Sequence, residues 1–165
     1  MKLVDTLLLD SLVAKARDSD RHRAHFNLHP DLSDPVQRLC IAMEPATYVR
    51  PHRHADPETW ELLLILRGSL ALTLFDEEGT VTGRTILNAA GPVRAVEFPR
   101  NVWHAPVSLE PGTVVFEVKQ GPYKAIEETN LAPWAPRDGD PAAAVFLEWN
   151  RHARVGDRAP LPGDS

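Results

Sequence analysis

His52 and His54 stand one residue apart in PHRHADPETWELLLILRG, residues 51–68, with two carboxylates, Glu58 and Glu61, close behind. In extended backbone alternate side chains share a face, so both imidazoles point the same way, with Cα atoms roughly 6 to 7 Å apart. Two ring nitrogens can converge on one ion from that spacing, but a pair leaves a metal site incomplete. A third imidazole, His104, follows a proline-led turn in FPRNVWHAPV. Three imidazoles and one carboxylate around a half-open position suit one divalent transition ion: Fe, Mn, Ni, Co, Cu or Zn.

Such ligands need a rigid frame, and the surrounding pattern supplies strands. VQRLCIAM (36–43) and TYVRPH (47–52) read as strands, with Pro51 pushing the second towards an edge or bend. LLLIL (62–66) is a short continuous apolar run ending at Gly68, as in a buried strand followed by a tight turn. Leu70, Leu72 and Leu74 alternate, as in a strand with one buried face; DEEG (76–79) then makes a hairpin turn and TVTGRTIL returns. RAVEF (94–98) and TVVFEVK (113–119) complete the β segments. Residues 4–18 carry Val4, Leu8 and Leu12 at i+4 spacing, a helical stripe that Asp5 or Thr6 can cap. Asp18 to Pro35 is polar and without period, and reads as an arm or loop. Asp140 and Pro141 open a second helix through AAAVFLEW. The expected architecture is a mainly β barrel or sandwich with a short helix near each end. A single domain over 1–165 is expected, with the barrel over 36–120 and a mobile polar tail over 152–165.

Composition narrows the partners. The 165 residues are 43% hydrophobic and 25% charged, ordinary for a globular chain. A net charge of -5 argues against nucleic acid or acidic lipid. Asp5 and Asp10 interrupt the apolar N-terminus, and no run is long enough to span a membrane, so the expected location is the cytoplasm. Cys40, the one cysteine, sits in RLCIAM and reads as a small buried hydrophobe.

The histidine and glutamate spacing resembles the two motifs of the cupin superfamily. The first runs glycine, spacer, H-x-H, three or four residues, glutamate, six residues, glycine; the second runs proline, one residue, glycine, two residues, histidine. Here the second reads PRNVWH, with Asn101 in place of glycine, and the leading glycines are absent or displaced. Asn tolerates the left-handed backbone such a turn requires. RHRAHFNLHPDLSDPVQR, YVRPHRH, Trp60–Glu61, HAPV and KQGPYK with APWAP further resemble the WbuC family of cupin-fold metalloproteins, from the N-terminal helix to about residue 137. The resemblance implies a cupin-type double-stranded β-helix, a jelly-roll barrel, with His52, His54, a glutamate and His104 as metal ligands. It also implies a homodimer and a place in surface-polysaccharide (O-antigen) synthesis. Counting from His54 selects Glu58, and counting back from Gly68 selects Glu61. Glu61 opens the strand that ends at the glycine turn and is held in register by it, whereas Glu58 sits in the loop ADPET, so Glu61 is the expected ligand.

Further residues could line the same cavity. Tyr48 and Arg50 share parity with His52, and Arg50 could hold a carboxylate or phosphate. His25 and His29 could lid the pocket, Tyr123 could close the barrel mouth, and Trp103 could wall the site beside His104. Glu58, Tyr48 and Glu117 are the candidate acid or base groups. The functional expectation is a metal-dependent enzyme on a small polar metabolite such as a sugar or sugar nucleotide, with the metal as Lewis acid in isomerisation or epimerisation. An iron-dependent dioxygenase is the alternative chemistry. A non-catalytic metal-dependent sugar-binding or regulatory module is the alternative class; a titratable group inside the cavity separates enzyme from module.

Overall fold

Alternation of apolar and polar residues writes two packed sheets, and the computed structural model describes them over residues 1–55 and 60–160. The strands run β1 Arg23–Asn27, β2 Val36–Met43, β3 Glu61–Arg67, β4 Ser69–Phe75, β5 Val81–Asn88, β6 Ala95–Phe98, β7 Trp103–Ser108 and β8 Thr113–Gln120. Helix α1 spans Thr6–Arg17 and α2 spans Ala142–His152. One sheet has the order β1-β2-β8-β3-β6 and the other β5-β4-β7, with every named strand pair antiparallel. The architecture is the expected jelly roll.

The core divides by face. Cys40 and Ala42 on β2, Val114 on β8 and Leu12, Val13 and Ala16 on α1 form one buried cluster, so α1 covers the outer face of the five-stranded sheet. The inner faces meet through Ile41, Met43, Leu63, Ile65, Leu70, Leu72, Leu87, Phe98 and Val115. A third cluster holds Phe75, Val81, Trp103 and Ala105 against Trp134 and against Phe146 of α2. Burying side chains of this size stabilises by about 1.5 to 3 kcal/mol each relative to exposure.

Turn chemistry fixes the ends. The Asp5 carboxylate accepts the Leu8 N–H (2.9 Å) and caps α1, and Asp140 accepts the Ala142 N–H (2.8 Å) at the start of α2. Gly68 has φ +73, and a Cβ there would lie 2.6 Å from Thr113 Oγ1, so both backbone and space require glycine between β3 and β4.

The structure corrects five expectations. Residues 18–35 are not a structureless arm: Ala24 and Phe26 pack outward against the α1 cluster, and β1 pairs with β2 from Arg23↔Met43 to Asn27↔Leu39. The barrel therefore begins before residue 36. TYVRPH forms no ladder; Pro51 lacks an N–H, and pairing there is confined to isolated bridges at His52. β4 is buried on both faces, because Ala71 and Thr73 are as covered as Leu70 and Leu72. HAPV, placed after a proline-led turn with no strand expected, lies within β7. Of the tail expected over 152–165, residues 161–165 lie outside the described residues, and the part up to residue 160 is tied to the β4–β5 turn. Val81 N–H donates to Asp157 O (2.9 Å), Gly156 N–H to Val81 O (2.9 Å) and Ala159 N–H to Gly79 O (3.0 Å), with Ala159 buried. Among the described residues, no helix is long and apolar enough to cross a membrane.

Candidate metal centre

His104 is delivered by β7, whose alternation sends His104 and Pro106 inward and Trp103 and Ala105 to the α2 side. Trp103 therefore does not wall the site. Its Nε1–H donates to Glu77 (3.0 Å), and the Arg53 guanidinium sits 4.3 Å from its ring centroid. The turn before β7 depends on Asn101, at φ 60, the left-handed conformation expected of it, and the Asn101 N–H donates to His54 O (3.0 Å). His52 is tied to His104 by a reciprocal main-chain pair: His52 N–H to His104 O (3.0 Å) and His104 N–H to His52 O (2.9 Å). The two motifs are thus joined directly through backbone.

The three rings converge. Centroids lie 4.3 Å apart for His52–His104, 5.3 Å for His52–His54 and 5.6 Å for His54–His104. One ring nitrogen from each falls within 4.8 Å of the others, a group able to hold a metal ion. Two tautomers follow from the partners. His52 Nδ1 faces Arg50 O (3.0 Å) and His104 Nδ1 faces Val102 O (2.9 Å), and a carbonyl can only accept. Each Nδ1 therefore carries the proton, leaving the Nε2 lone pair free, the arrangement that orients metal-bound histidine. His104 Nε2 is buried and has no hydrogen-bond partner.

Glu61 enters from the first residue of β3, opposite Phe98 on one side and Lys119 on the other. Its Oε2 lies 2.9 Å from His54 Nε2 and 3.7 Å from His104 Nε2. Neither Arg67, paired with Asp10, nor Arg50, paired with Glu128, reaches it as an ion-pair partner. Burial pushes the Glu61 carboxyl up, but the His54 hydrogen bond and the Lys119 charge, with His104 close by, act against it and hold the group below the usual carboxylate range. Burial drives both His52 and His104 below the ordinary imidazole value, so both are neutral and able to coordinate at neutral pH.

These residues open into a cavity of about 1070 Å³ between the sheets. Glu117 lies inside it, ion-paired to Lys119 Nζ at 2.7 Å. Burial, followed by the nearby Glu61 charge, raises the Glu117 carboxyl, while Glu117 and Glu61 raise Lys119 against its own burial. Both expected arm histidines line the cavity: His25 from β1, and His29, whose Nδ1 accepts the Arg38 N–H (3.0 Å). Tyr123 borders the mouth, half exposed. Arg50 lines the cavity but is engaged, donating from Nε and Nη2 to Ala132 O (3.1 and 2.8 Å) and from Nη1 to Glu128 (3.0 Å). Tyr48 is not in the cavity: its hydroxyl donates to Pro136 O (2.7 Å) and its ring packs edge-on to Phe146 at 6.0 Å. With Pro51 breaking the strand, parity with His52 no longer fixes where residue 48 points. Glu58 lies outside the described residues. Arg21 and Arg23 also line the cavity and were not among the expected residues. The alternation of Arg23, His25 and Asn27 with Ala24 and Phe26 was the available signal.

Comparison with solved structures finds KdgF from Halomonas sp., 19% identical with TM-score 0.47, over 62% of this chain and 82% of that one. A cupin-2 domain containing protein from Shewanella frigidimarina is 18% identical with TM-score 0.45, over 59% and 80%. The protein TT1209 from Thermus thermophilus is 17% identical with TM-score 0.50, over 73% and 97%. No curated protein matches the sequence. With two antiparallel sheets and two short helices, the chain has the cupin-type jelly-roll fold. A family model described as Domain of unknown function (DUF6016) matches residues 4–87, a span that holds His52, His54 and Glu61 and stops short of His104. That span is half the chain, and the chain belongs to this family.

Proposed function

We propose that the chain is a metal-dependent cupin enzyme that holds one divalent transition ion on His52, His54, Glu61 and His104 and acts on a small polar metabolite. The observation that carries this is the orphaned, buried His104 Nε2, aimed with two further imidazoles at one point while its Nδ1 is committed to a carbonyl. A buried nitrogen with no partner costs about 1 to 3 kcal/mol, and an ion removes that penalty. Three imidazole nitrogens and a carboxylate oxygen match the borderline ions Fe, Mn, Ni, Co, Cu and Zn.

The chain's own residues then divide the work. The carbonyls of Arg50 and Val102 hold two rings in the ligating tautomer. Glu61 sits with its oxygen towards His54 and His104 and neutralises charge at that point. A bound ion supplies Lewis acidity to ligand oxygens beside it. Glu117, raised by burial and held against Lys119, is the group suited to take or give a proton within the cavity. A titratable carboxyl inside the cavity favours an enzyme over a purely binding module. Isomerisation or epimerisation of a sugar or sugar nucleotide fits this set; iron-dependent oxygenation is the second chemistry for the same ligands. The narrower assignment, a WbuC-type protein of surface-polysaccharide synthesis, rests on the motif resemblance.

Metal analysis of untagged protein tests the ligand set. Wild type is expected to carry close to one ion per chain, Glu61→Ala and His104→Ala to lose most of it, and Glu58→Ala to keep it. Metal-free wild type overturns the proposal, and loss in Glu58→Ala with retention in Glu61→Ala reassigns the carboxylate.

A further inference from the structure

The cavity is richer in cations than a chain of net charge -5 leads one to expect, and most of them are committed. Arg21 is bonded to Asp138 (2.8 Å), Arg50 to Glu128 and Ala132 O, Arg53 to Glu77 (2.8 Å), Lys119 to Glu117, and Arg137 lies 3.6 Å from Glu128. Arg23 differs. It lines the cavity from the inner face of β1, and its guanidinium has no hydrogen bond or ion pair among the described residues. Its Nε is buried without a partner. His25, two residues on and therefore on the same face, also lines the cavity.

Leaving a guanidinium partly desolvated and unpaired is costly, and burial does depress Arg23 below the ordinary arginine value. Asp138 and Glu117 act on it only at a distance, and Asp138 is already bonded to Arg21. The guanidinium thus faces the cavity with its charge not matched by a bonded carboxylate among the described residues. A planar fork of five N–H donors selects a carboxylate or a phosphate, which it can grip through two parallel hydrogen bonds. The imidazole of His25 adds a neutral donor beside it, since burial and the Arg23 charge lower its pKa to about 4.

We propose that Arg23, with His25 beside it, is an anion subsite that binds a carboxylate or phosphate on the cavity's small-molecule ligand, remote from the histidine cluster. β2 and β8 separate β1 from β3, which carries Glu61. Three strand spacings put β1 on the order of 14 Å across the sheet from β3. The ligand is thus an elongated polar molecule with a terminal oxyanion, such as a sugar acid or sugar phosphate, whose far end faces the histidines. Only the placing of that far end rests on the metal-centre proposal; the anion subsite itself does not.

The test measures binding of inorganic phosphate, D-glucuronate and D-glucose by calorimetry, on metal-loaded and on chelator-treated protein, for wild type, Arg23→Gln and Arg23→Lys. Phosphate or glucuronate is expected to bind chelator-treated wild type at least tenfold more tightly than Arg23→Gln, with Arg23→Lys between and glucose unaffected. Whichever of the two anions shows the larger Arg23-dependent loss identifies the oxyanion. Metal content is expected to be equal in all three proteins. The inference is overturned if neither anion binds wild type in an Arg23-dependent way, or if glucose weakens in parallel. It is also overturned if Arg23→Lys behaves as Arg23→Gln while circular dichroism shows both folded. Absence of metal from wild type overturns the metal centre alone and leaves the chelator-treated comparison intact.

Discussion

His25 shows how strongly desolvation and neighbouring cations act on a ring that solvent still reaches. Its folded pKa of about 4 lies below the ordinary 6.5, so between those values the unfolded chain takes up a proton that the folded chain refuses. Stability contributed by neutral His25 is present above pH 6.5 and is lost as pH falls towards 4. His25 is exposed, so solvent screening reduces the linkage to about 1 kcal/mol or less. Urea unfolding of chelator-treated protein is expected to show a midpoint that falls from pH 6.5 to 4, with a shallower fall in His25→Gln. His52 and His104 are lowered by burial too and leave the variant with a residual slope in the same direction. Identical slopes in the two proteins would show that His25 does not couple to folding.

Elements place these residues through a few demanding backbone positions. Gly68 and Asn101 both sit at positive φ, at the turns that follow the β3 and precede the β7 contributions to the site. Gly68→Ala meets Thr113 Oγ1 and a left-handed backbone together, and is expected to lower stability by about 1 to 3 kcal/mol. Asn101→Gly is expected to be tolerated and Asn101→Val to cost at least about 1 kcal/mol, because β-branching is poorly accommodated there. Thermal melts of the three variants decide it; equal melting points for Gly and Val at residue 101 would remove the backbone argument. The sequence made β2, β3 and β8 legible because each is a long apolar or β-branched run. It hid β1, whose polar face lines the cavity and whose apolar face consists only of Ala24 and Phe26. It hid β7, where Pro106 and a leading turn mask the alternation that carries His104. Histidine and glutamate spacing brought the ligand candidates into view. The commitment of Tyr48 and Trp103 to the α2 side and the placement of Arg23 required tertiary packing that spacing does not encode.

Across the whole molecule, the two sheets close one end with aliphatic residues and leave the other lined by imidazoles, carboxylates and guanidinium groups. The outer surfaces are sealed by α1 on one side and by α2 with the following chain on the other. Residues 156–159 hydrogen-bond to Gly79 and Val81 and bury Ala159, so they act as a strap across the β4–β5 turn. Truncation after Arg154 is expected to lower the melting temperature by roughly 5 °C, the scale of one to two kcal/mol in a chain of this size. An unchanged melt would return this segment to the status of a tail. The reciprocal backbone rung between His52 and His104 has a different consequence. It fixes two imidazoles without reference to the segment that follows, while the ladder with β8 fixes Glu61 from the other side. The connection between residues 54 and 61 thus joins two independently anchored ends. Its length is released from the geometry of the cluster, and relatives can lengthen or shorten it without moving the histidines or Glu61.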